Sequence, residues 1–312
     1  MYIARRHQEG ASYVSGAIIL RSLCRHVGDV SIDDISSNDI IAFLNDPRIS
    51  AITRLGKFSI VTCFLRFLAI RRMMPFLAVP KPPKPTNRLV PYIYTRSEVR
   101  ALLAAIRQCQ KRAKKISPET FRCFLLTLYG TGARLDEVLN LRLSHVDLRH
   151  KRIRLGANLP NQYRWIPIGT DLVKVLRAQL RTISRRREGD VLIFRMTNGE
   201  RINRHNIWER FRLLRQIAGV VRKGEGRPPR LQDFRPTFAV HRLASWIRLD
   251  VDLNAMMPAL STYMGYSSLT TAEQFLSYTP ERFRGELRKL SPARGRKHWR
   301  DNPELMRYLT AL

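Results

Sequence analysis

The chain has few acidic residues for its length. Only 25 Asp and Glu stand against 56 Lys and Arg, which gives a formal net charge of +31 over 312 residues. So large an excess of positive charge indicates a polyanionic partner, nucleic acid first among them. A ribosomal protein or a protein of the membrane surface is the alternative. Because the basic residues are spread among amphipathic segments and form no tail, we favour nucleic acid.

Cysteine is also scarce, and its four positions form no C-x-x-C pair: Cys24, Cys63, Cys109 and Cys123. We therefore predict buried free thiols in a reducing compartment, with no metal site and no cofactor. The N-terminal segment contains no apolar run long enough for a signal-peptide core or a membrane span. We expect a cytoplasmic, nucleoid-associated protein with no membrane partner.

The first 78 residues are predicted to form a small helical domain. Residues 11–26 and 50–72 carry apolar side chains at helical spacing, and "SSNDIIAFLNDP" at 36–47 places a Ser or Asn cap before an apolar stripe. Each helix has one apolar face, so the three together can enclose a small core.

A proline-rich segment follows this domain. The stretch "VPKPPKPTNRLVP", residues 79–91, contains five prolines and three cations. Proline removes backbone donors and favours an extended chain, which predicts a linker between domains. Its cations, Lys81, Lys84 and Arg88, are candidate contacts to a DNA backbone.

A larger domain is predicted for residues 92–290. Its first helix begins at a capping box formed by Thr95 and Glu98. Farther along, "KRIRLGANL" and "RWIPIG" are short branched apolar segments separated by "PNQY", a pattern that predicts a β-hairpin. The fold class is therefore mainly α, a helical domain followed by a mixed α+β domain that is mostly helical.

The last residues, 291–312, form a basic tail that ends in a short amphipathic segment, Leu305–Leu312. An amphipathic helix can dock into a groove of its own domain or of a neighbouring protomer. The sequence leaves both alternatives open.

Three blocks of the larger domain carry a family resemblance. They are "LYGTGARLDEVLNLRLSHVDL", "LQDFRPTFAVHRL" and "LSTYMGYSSLTTAEQFLSYTPE", in this order and with a hairpin between the first two. Together they resemble the catalytic domain of the tyrosine recombinases, the phage integrase family. The resemblance implies that residues 92–290 form a catalytic-type domain and that residues 1–78 form the core-binding, SAM-like domain that precedes it.

In this family a tyrosine hydroxyl attacks a DNA phosphodiester. The site must neutralise a phosphorane and protonate the leaving 5′ oxygen, tasks that suit arginine forks and a positioned acid. The resemblance implies the pattern Arg, Lys, His-x-x-Arg, His or Trp, and Tyr. The two arginines fall on Arg134, directly after a turn at Gly130 and Gly132, and on Arg235.

Three other positions depart from the pattern. The expected lysine falls near Leu159, and no lysine occurs between Lys151 and Lys174, so an acid is missing unless Arg164 or a distant lysine replaces it. The first histidine is Gln232 and the second is Tyr266. Neither exchanges a proton near neutral pH as an imidazole does.

The nucleophile is substituted as well. Ten residues beyond Gly265, where the family places its tyrosine, stands Phe275, which has no hydroxyl. Tyr278 follows three residues later, nearly one helical turn along the same face, and is a candidate shifted nucleophile. The alternative is that Tyr278 is an aromatic side chain that packs within the domain, and we favour this alternative.

The leading interpretation is a DNA-binding member of the family that takes part in site-specific recombination or integration of a mobile element and does not cleave DNA. Double-stranded DNA is the expected partner, bound by a homo-oligomer or beside a paralogous active recombinase in a synaptic complex. Two alternatives stay open: an active recombinase that uses Tyr278, and a DNA-binding regulator with no role in recombination.

Overall fold

The structure is a computed structural model, and the described residues fall into two compact units. One unit lies within residues 1–83 and the other begins at Val90. The described residues are 1–9, 13–83, 90–110, 115–156, 163–184, 190–222, 224, 226–266 and 268–279.

The first unit is helical. Ser36 and Ser50 cap its last two helices, each hydroxyl accepting the backbone N–H three residues ahead at 3.3 and 3.2 Å. Its core consists of Leu23, Phe43, Leu65 and other apolar residues of these helices. The helices are α1 (Tyr2–Gln8), α2 (Val14–Val27), α3 (Ser37–Leu44) and α4 (Ala51–Ile70).

The second unit is mostly helical too. The predicted capping box is confirmed at its start, where the Thr95 hydroxyl accepts the Glu98 N–H at 3.2 Å and the Thr95 N–H donates to the Glu98 carboxylate at 2.7 Å. Its helices are α5 (Arg96–Gln110), α6 (Pro118–Thr131), α7 (Leu135–Leu139), α8 (Thr170–Ser184), α9 (Arg204–Ile217), α10 (Phe234–Arg248), α11 (Leu253–Met264) and α12 (Leu269–Glu273).

A small antiparallel sheet interrupts the helices, in the strand order β1 (Val146–Asp147), β2 (Arg152–Gly156), β3 (Tyr163–Pro167). Ile153 pairs with Ile166, and both side chains are buried. The predicted hairpin is therefore confirmed, and with it the mainly helical fold class. The short strand β1 adds a third member that the sequence pattern did not indicate.

Apolar side chains of the second unit form two clusters. The larger cluster includes Tyr94, Phe124 and Phe234. The smaller one is built by α10, α11 and the residues after them, with Met264 and Phe275 among its members. This smaller cluster positions the segment that contains Phe275 and Tyr278.

Two predictions about local structure are wrong. Cys24 and Cys63 are exposed, whereas Cys109 and Cys123 are buried; all four are free. Cys63 lies two residues from both Val61 and Leu65, so it faces away from the side of α4 that these residues bury. The glycine turn is also shorter than predicted, because α6 continues through Gly130.

Several predicted features lie outside the described residues: Leu159, Lys84, Arg88 and the tail 291–312. Lys81 is described and exposed. Among the described residues, none of the helices has the length and apolar character needed to cross a membrane.

Candidate active site

Arg134 owes its position to the turn at Gly132. Helix α6 ends there with φ at +60°, and a Cβ on Gly132 would lie 2.6 Å from the ring of Phe238. Only glycine meets both demands. The chain then turns into α7, with Arg134 at its N-cap. The Arg134 side chain is 48% exposed, and its Nη2 donates to the Gly265 carbonyl at 3.3 Å.

Arg235 lies in the first turn of α10, and each of its three guanidinium nitrogens donates a hydrogen bond. Nη1 donates to the carbonyl of Gly132 at 2.7 Å, and Nη2 donates to the carbonyl of Met264 at 2.7 Å. Nε donates to the Tyr266 hydroxyl at 3.0 Å. Pro236 is compatible with this first turn, where its missing N–H has no helical partner.

The two arginines therefore meet at the end of α11, although they are far apart in the sequence. Burial lowers the pKa of Arg235, the Tyr266 hydroxyl opposes this effect, and the like charge of Arg134 lowers the pKa further. Arg235 still remains charged, because an arginine does not lose its proton in a protein. Two close guanidiniums repel each other, and an anion bound between them would relieve that repulsion.

Glu137 and Arg164 hold the residues around Arg134 and Arg235 in place. The Glu137 side chain is 1% exposed, and its carboxylate accepts Arg164 Nη1 at 2.7 Å and the backbone N–H of Arg134 at 2.7 Å. Arg164 is 17% exposed and also donates to the carbonyls of Tyr263 at 2.8 Å and Met264 at 3.2 Å. Arg164 thus ties β3 to α7 and to the end of α11.

The charge on Glu137 depends on these partners. Burial by itself raises the pKa of the Glu137 carboxyl, but the hydrogen bonds from Arg164 and from the Arg134 backbone, together with the nearby Arg235 charge, outweigh burial. The net pKa lies below the ordinary value. Glu137 is consequently a structural carboxylate and not a proton donor. Arg164 is held by its ion pair with this carboxylate.

Tyr266 occupies the position of the second family histidine. It is half-buried, and the guanidinium carbon of Arg235 lies 4.5 Å from the centroid of its ring. Its hydroxyl accepts the Arg235 hydrogen bond and keeps its own proton to donate. Tyr266 can therefore bind an oxygen of an anion that sits beside Arg235.

Phe275 and Tyr278 lie on a short 3-10 helix, Gln274–Tyr278, where the sequence suggested an α-helical turn. Residues three apart eclipse each other in a 3-10 helix, so both rings lie on one side of it. Phe275 is 8% exposed within the smaller apolar cluster, and Tyr278 is half-buried against the same cluster. The ring of Phe275 lies 6.1 Å from the ring of Tyr266.

Gln232 is exposed at a 3-10 turn, Leu231–Asp233, just before α10. Within the described ranges, no group of three or more His, Cys, Asp or Glu residues is placed to hold a metal ion. The roles of Glu137 and Arg164 were not predicted from the sequence. Glu137 follows Arg134 at the spacing of a capping box, a signal that could have identified it.

The family model described as "Phage integrase family" matches residues 93–280. The putative integrase/recombinase y4rB of Sinorhizobium fredii is 28% identical over 261 residues, which cover 80% of this chain and 79% of that protein. Tyrosine recombinase XerA of Thermococcus kodakarensis is 31% identical over 204 residues, which cover 65% of this chain and 64% of that protein.

Solved structures share the fold. The Tn1549 transposon integrase in complex with transposon right end DNA has a TM-score of 0.64 at 15% identity, covering 93% of this chain and 98% of that one. The lambda integrase dimer bound to a COC′ core site has a TM-score of 0.61 at 15% identity, covering 84% and 87%.

Proposed function

The chain belongs to the phage integrase family, and from this premise we propose that it binds duplex DNA and takes part in site-specific recombination without forming a covalent bond to DNA. The proposal separates two properties of the site, the ability to bind a phosphate and the ability to attack it. The residues for the first property are present, and those for the second are replaced.

Phosphate binding is supported by the donors that converge at the end of α11. Arg134 is half-exposed, Arg235 lies beside it, and the Tyr266 hydroxyl, which accepts a hydrogen bond from Arg235, has its own proton to donate. Guanidinium groups bind phosphate oxygens through charge-assisted hydrogen bonds. A backbone phosphate is the anion that this set of donors fits, and the +31 charge of the chain favours a long polyanion.

The buried ring of Phe275 is the main observation in favour of a protein that does not cleave DNA. It stands at the family position of the nucleophile, is 8% exposed and has no hydroxyl. The site is also poorly equipped to donate a proton to the leaving oxygen. Arg164, the one cation of the described hairpin strand β3, is bound to Glu137 and to backbone carbonyls. A site of this composition can hold a phosphodiester without breaking it.

The partner is inferred from charge and from the relatives. The solved Tn1549 integrase is bound to transposon right end DNA, and the lambda integrase is a dimer on a core site. We extend DNA binding and oligomerisation to this chain, and with them a role at a mobile element. We also propose that residues 1–78 are the core-binding domain, residues 79–91 the linker and residues 92–290 the catalytic-type domain.

A synaptic complex offers a role for a subunit that binds without cutting. Such a subunit would occupy one position beside a paralogous active recombinase that supplies the nucleophile for its own strand. A DNA-binding regulator would also bind without cutting, but it would have no effect on recombination. Recombination in cells that lack this gene, and that keep the active paralogue, separates the two roles.

One experiment tests binding and cleavage in the same sample. The protein is incubated with a labelled, nicked duplex that carries the DNA flanking its gene, and one half is run on a native gel and the other on a denaturing gel. We expect a retarded band on the native gel and no covalent complex on the denaturing gel. A covalent complex would refute the proposal.

A matched pair of variants locates the binding site. Arg134→Ala is expected to weaken duplex binding roughly tenfold or more, because a charge-assisted hydrogen bond contributes about 1.5–3 kcal/mol. Arg177→Ala removes an equally charged, exposed side chain on α8 and is the control. Equal affinities of the two folded variants would remove Arg134 from the site.

A further inference from the structure

The outer face of the small sheet presents arginines and aromatic rings together. Side chains alternate between the two faces of a strand. On β2 the alternation places Ile153 and Leu155 inward, and Arg152 and Arg154 outward. On β3 it places Arg164 and Ile166 inward, and Tyr163 and Trp165 outward. We call the outward set the sheet patch: Arg152, Arg154, Tyr163 and Trp165.

The rings of the sheet patch are unusually open to solvent. Trp165 is 43% exposed and Tyr163 is 46% exposed. Arg154 pairs directly with Trp165 across the hairpin, and Gly156 pairs with Tyr163. A Cβ on Gly156 would lie 2.3 Å from the Tyr163 ring, so the glycine allows that ring to lie flat across β2.

Each ring carries a guanidinium. The guanidinium carbon of Arg152 lies 4.7 Å from the centroid of Trp165, and that of Arg154 lies 4.3 Å from the centroid of Tyr163. These cation–π contacts hold both guanidiniums against the rings. The result is a surface on which aromatic rings and guanidiniums lie next to each other.

The charge of the sheet patch is only partly compensated. Arg152 donates to the Asp147 carboxylate at 3.0 Å, and Asp147 also binds His150. Arg154 has no carboxylate partner in the part of the chain that the structure describes, and its Nε is buried there without a hydrogen-bond acceptor. His145 lies against Tyr163 at 5.7 Å between ring centroids. Among the described residues, Arg154 is therefore the member of the patch whose charge no carboxylate compensates.

We propose that the sheet patch binds single-stranded nucleic acid, with unpaired bases stacked on Trp165 and on the guanidinium planes and a backbone phosphate at Arg154. A nucleotide strand repeats two chemical features in alternation, a flat base and an anionic phosphate. Unpaired bases stack on aromatic rings and on arginine guanidiniums. A duplex keeps its bases paired and cannot stack them on this surface.

The sheet patch is distinct from the phosphate site proposed at Arg134 and Arg235. Arg164, between the two outward rings of β3, points to the opposite side of the sheet and binds Glu137. The inference therefore does not depend on the proposed phosphate site of Arg134 and Arg235. A strand separated during recombination is one source of the ligand and RNA is another, and both share the same chemistry.

Fluorescence anisotropy with labelled oligo-dT and oligo-U of about 12 nucleotides, a length within the range bound by single-strand sites, tests the proposal. Trp165→Ala is expected to weaken binding of the strand roughly fivefold or more, since stacking contributes about 1–3 kcal/mol per base. Trp165→Phe keeps a ring and is expected to restore most of the affinity. The affinity of each variant for duplex DNA is expected to stay unchanged.

A charge variant gives an independent readout. Arg154→Gln is expected to weaken the binding of both oligonucleotides, and the control Arg177→Gln, which removes the same charge from an exposed position on α8, is expected not to. The Arg154 variant also keeps the test valid if Trp165→Ala does not fold. A loss confined to oligo-dT would identify DNA as the ligand, and an equal loss for oligo-U would identify single strands in general.

Two outcomes would overturn the proposal. In the first, folded Trp165→Ala and Arg154→Gln bind both oligonucleotides as tightly as the wild type. In the second, a labelled oligoglutamate peptide binds the wild-type protein, the oligonucleotides do not, and Trp165→Ala removes the peptide binding. That result would make the sheet patch a surface for an acidic protein partner.

Discussion

The carboxylate of Glu137 and the guanidinium of Arg164 form a two-pronged ion pair, with Nη1 to Oε1 at 2.7 Å and Nη2 to Oε2 at 3.3 Å. The pair joins the helix that follows Arg134 to strand β3. Because Glu137 is 1% exposed, its charge has almost no contact with water and depends on Arg164. The position of Arg134 therefore depends on a buried carboxylate.

Glu137→Gln is expected to destabilise the protein by about 3 kcal/mol, because the substitution leaves the guanidinium of Arg164 without its counter-charge in a largely buried position. Urea denaturation measures the loss. Asp136→Asn is the control, since Asp136 pairs with Arg204 at side chains that are 40% and 59% exposed. An exposed pair of this kind contributes at most about 1 kcal/mol. Equal losses for the two variants would show that burial does not set the strength of the Glu137 pair.

The same pair makes a prediction about pH. The pKa of Glu137 is lowered in the folded protein, so the carboxylate adds stability above the pKa of an unfolded glutamate, about 4.3. This stability is lost as the pH falls through the lower folded pKa. We expect the difference in unfolding free energy between the wild type and Glu137→Gln to be full at neutral pH and to shrink below about pH 4. A difference that stays constant into acid would contradict the assigned charge.

Gly265 makes room for Arg164, and its substitution tests that contact. Gly265 has φ at +69°, and a Cβ there would lie 2.7 Å from Nη1 of Arg164. Gly219 has a similar φ, +65°, with nothing near the Cβ position. Gly219→Ala is expected to cost about 1 kcal/mol from backbone strain alone. Gly265→Ala is expected to cost about 2–3 kcal/mol, because it also displaces a guanidinium held by four hydrogen bonds.

A double-mutant cycle isolates that steric contact. In an Arg164→Ala background, Gly265→Ala is expected to cost no more than Gly219→Ala does in the wild type, since the collision partner has been removed. Thermal melts of the four proteins of the cycle provide the comparison. An additive result would mean that the clash with Arg164 does not contribute to the cost.

Local patterns in the sequence predicted most of the fold. The capping box at Thr95 and the hairpin of β2 and β3 depend on neighbouring residues, so spacing and cap chemistry suffice to find them. The exposure of Cys63 and the ion pair of Glu137 with Arg164 depend on which elements meet in space. The sequence places β3, α7 and the end of α11 far apart, and no local pattern reports their contact.

The helix that carries Phe275 and Tyr278 shows a different limit. A spacing of three residues fits one turn of an α-helix almost as well as one turn of a 3-10 helix, so both patterns predict two rings on one face. The choice between them is made by packing against the smaller apolar cluster. The family resemblance supplied the candidate positions, and the structure adds that the phenylalanine is an apolar core residue.

Salt dependence tests the electrostatic part of the proposed function. The +31 charge predicts that duplex binding releases several counterions, so the observed association constant is expected to fall with salt at a log-log slope on the order of −5 or steeper. Anisotropy titrations at several salt concentrations give the slope. A flat response would be incompatible with binding along a DNA backbone.

The two aromatic residues of the 3-10 helix, Phe275 and Tyr278, differ in their position along its axis. A 3-10 helix rises about 2 Å per residue, so the origin of the Tyr278 side chain is displaced by about 6 Å from that of Phe275. In-line attack on a phosphate held at Arg134 and Arg235 does not tolerate a displacement of this size. With a nicked suicide substrate, which traps a 3′-phosphotyrosyl bond, the wild-type protein is therefore expected to form no covalent adduct.

Phe275→Tyr restores a hydroxyl at the family position, and its expected activity is still very low. The new hydroxyl would lie beside the ring of Tyr266, yet neither Gln232 nor Tyr266 is an imidazole, and Arg164 is bound to Glu137. Among the described residues at the site, none is therefore assigned as the acid for the leaving oxygen. Mass spectrometry of any adduct identifies the attacking residue. A wild-type adduct that disappears in Tyr278→Phe would overturn this conclusion, because it would make Tyr278 a relocated nucleophile and the protein an active recombinase.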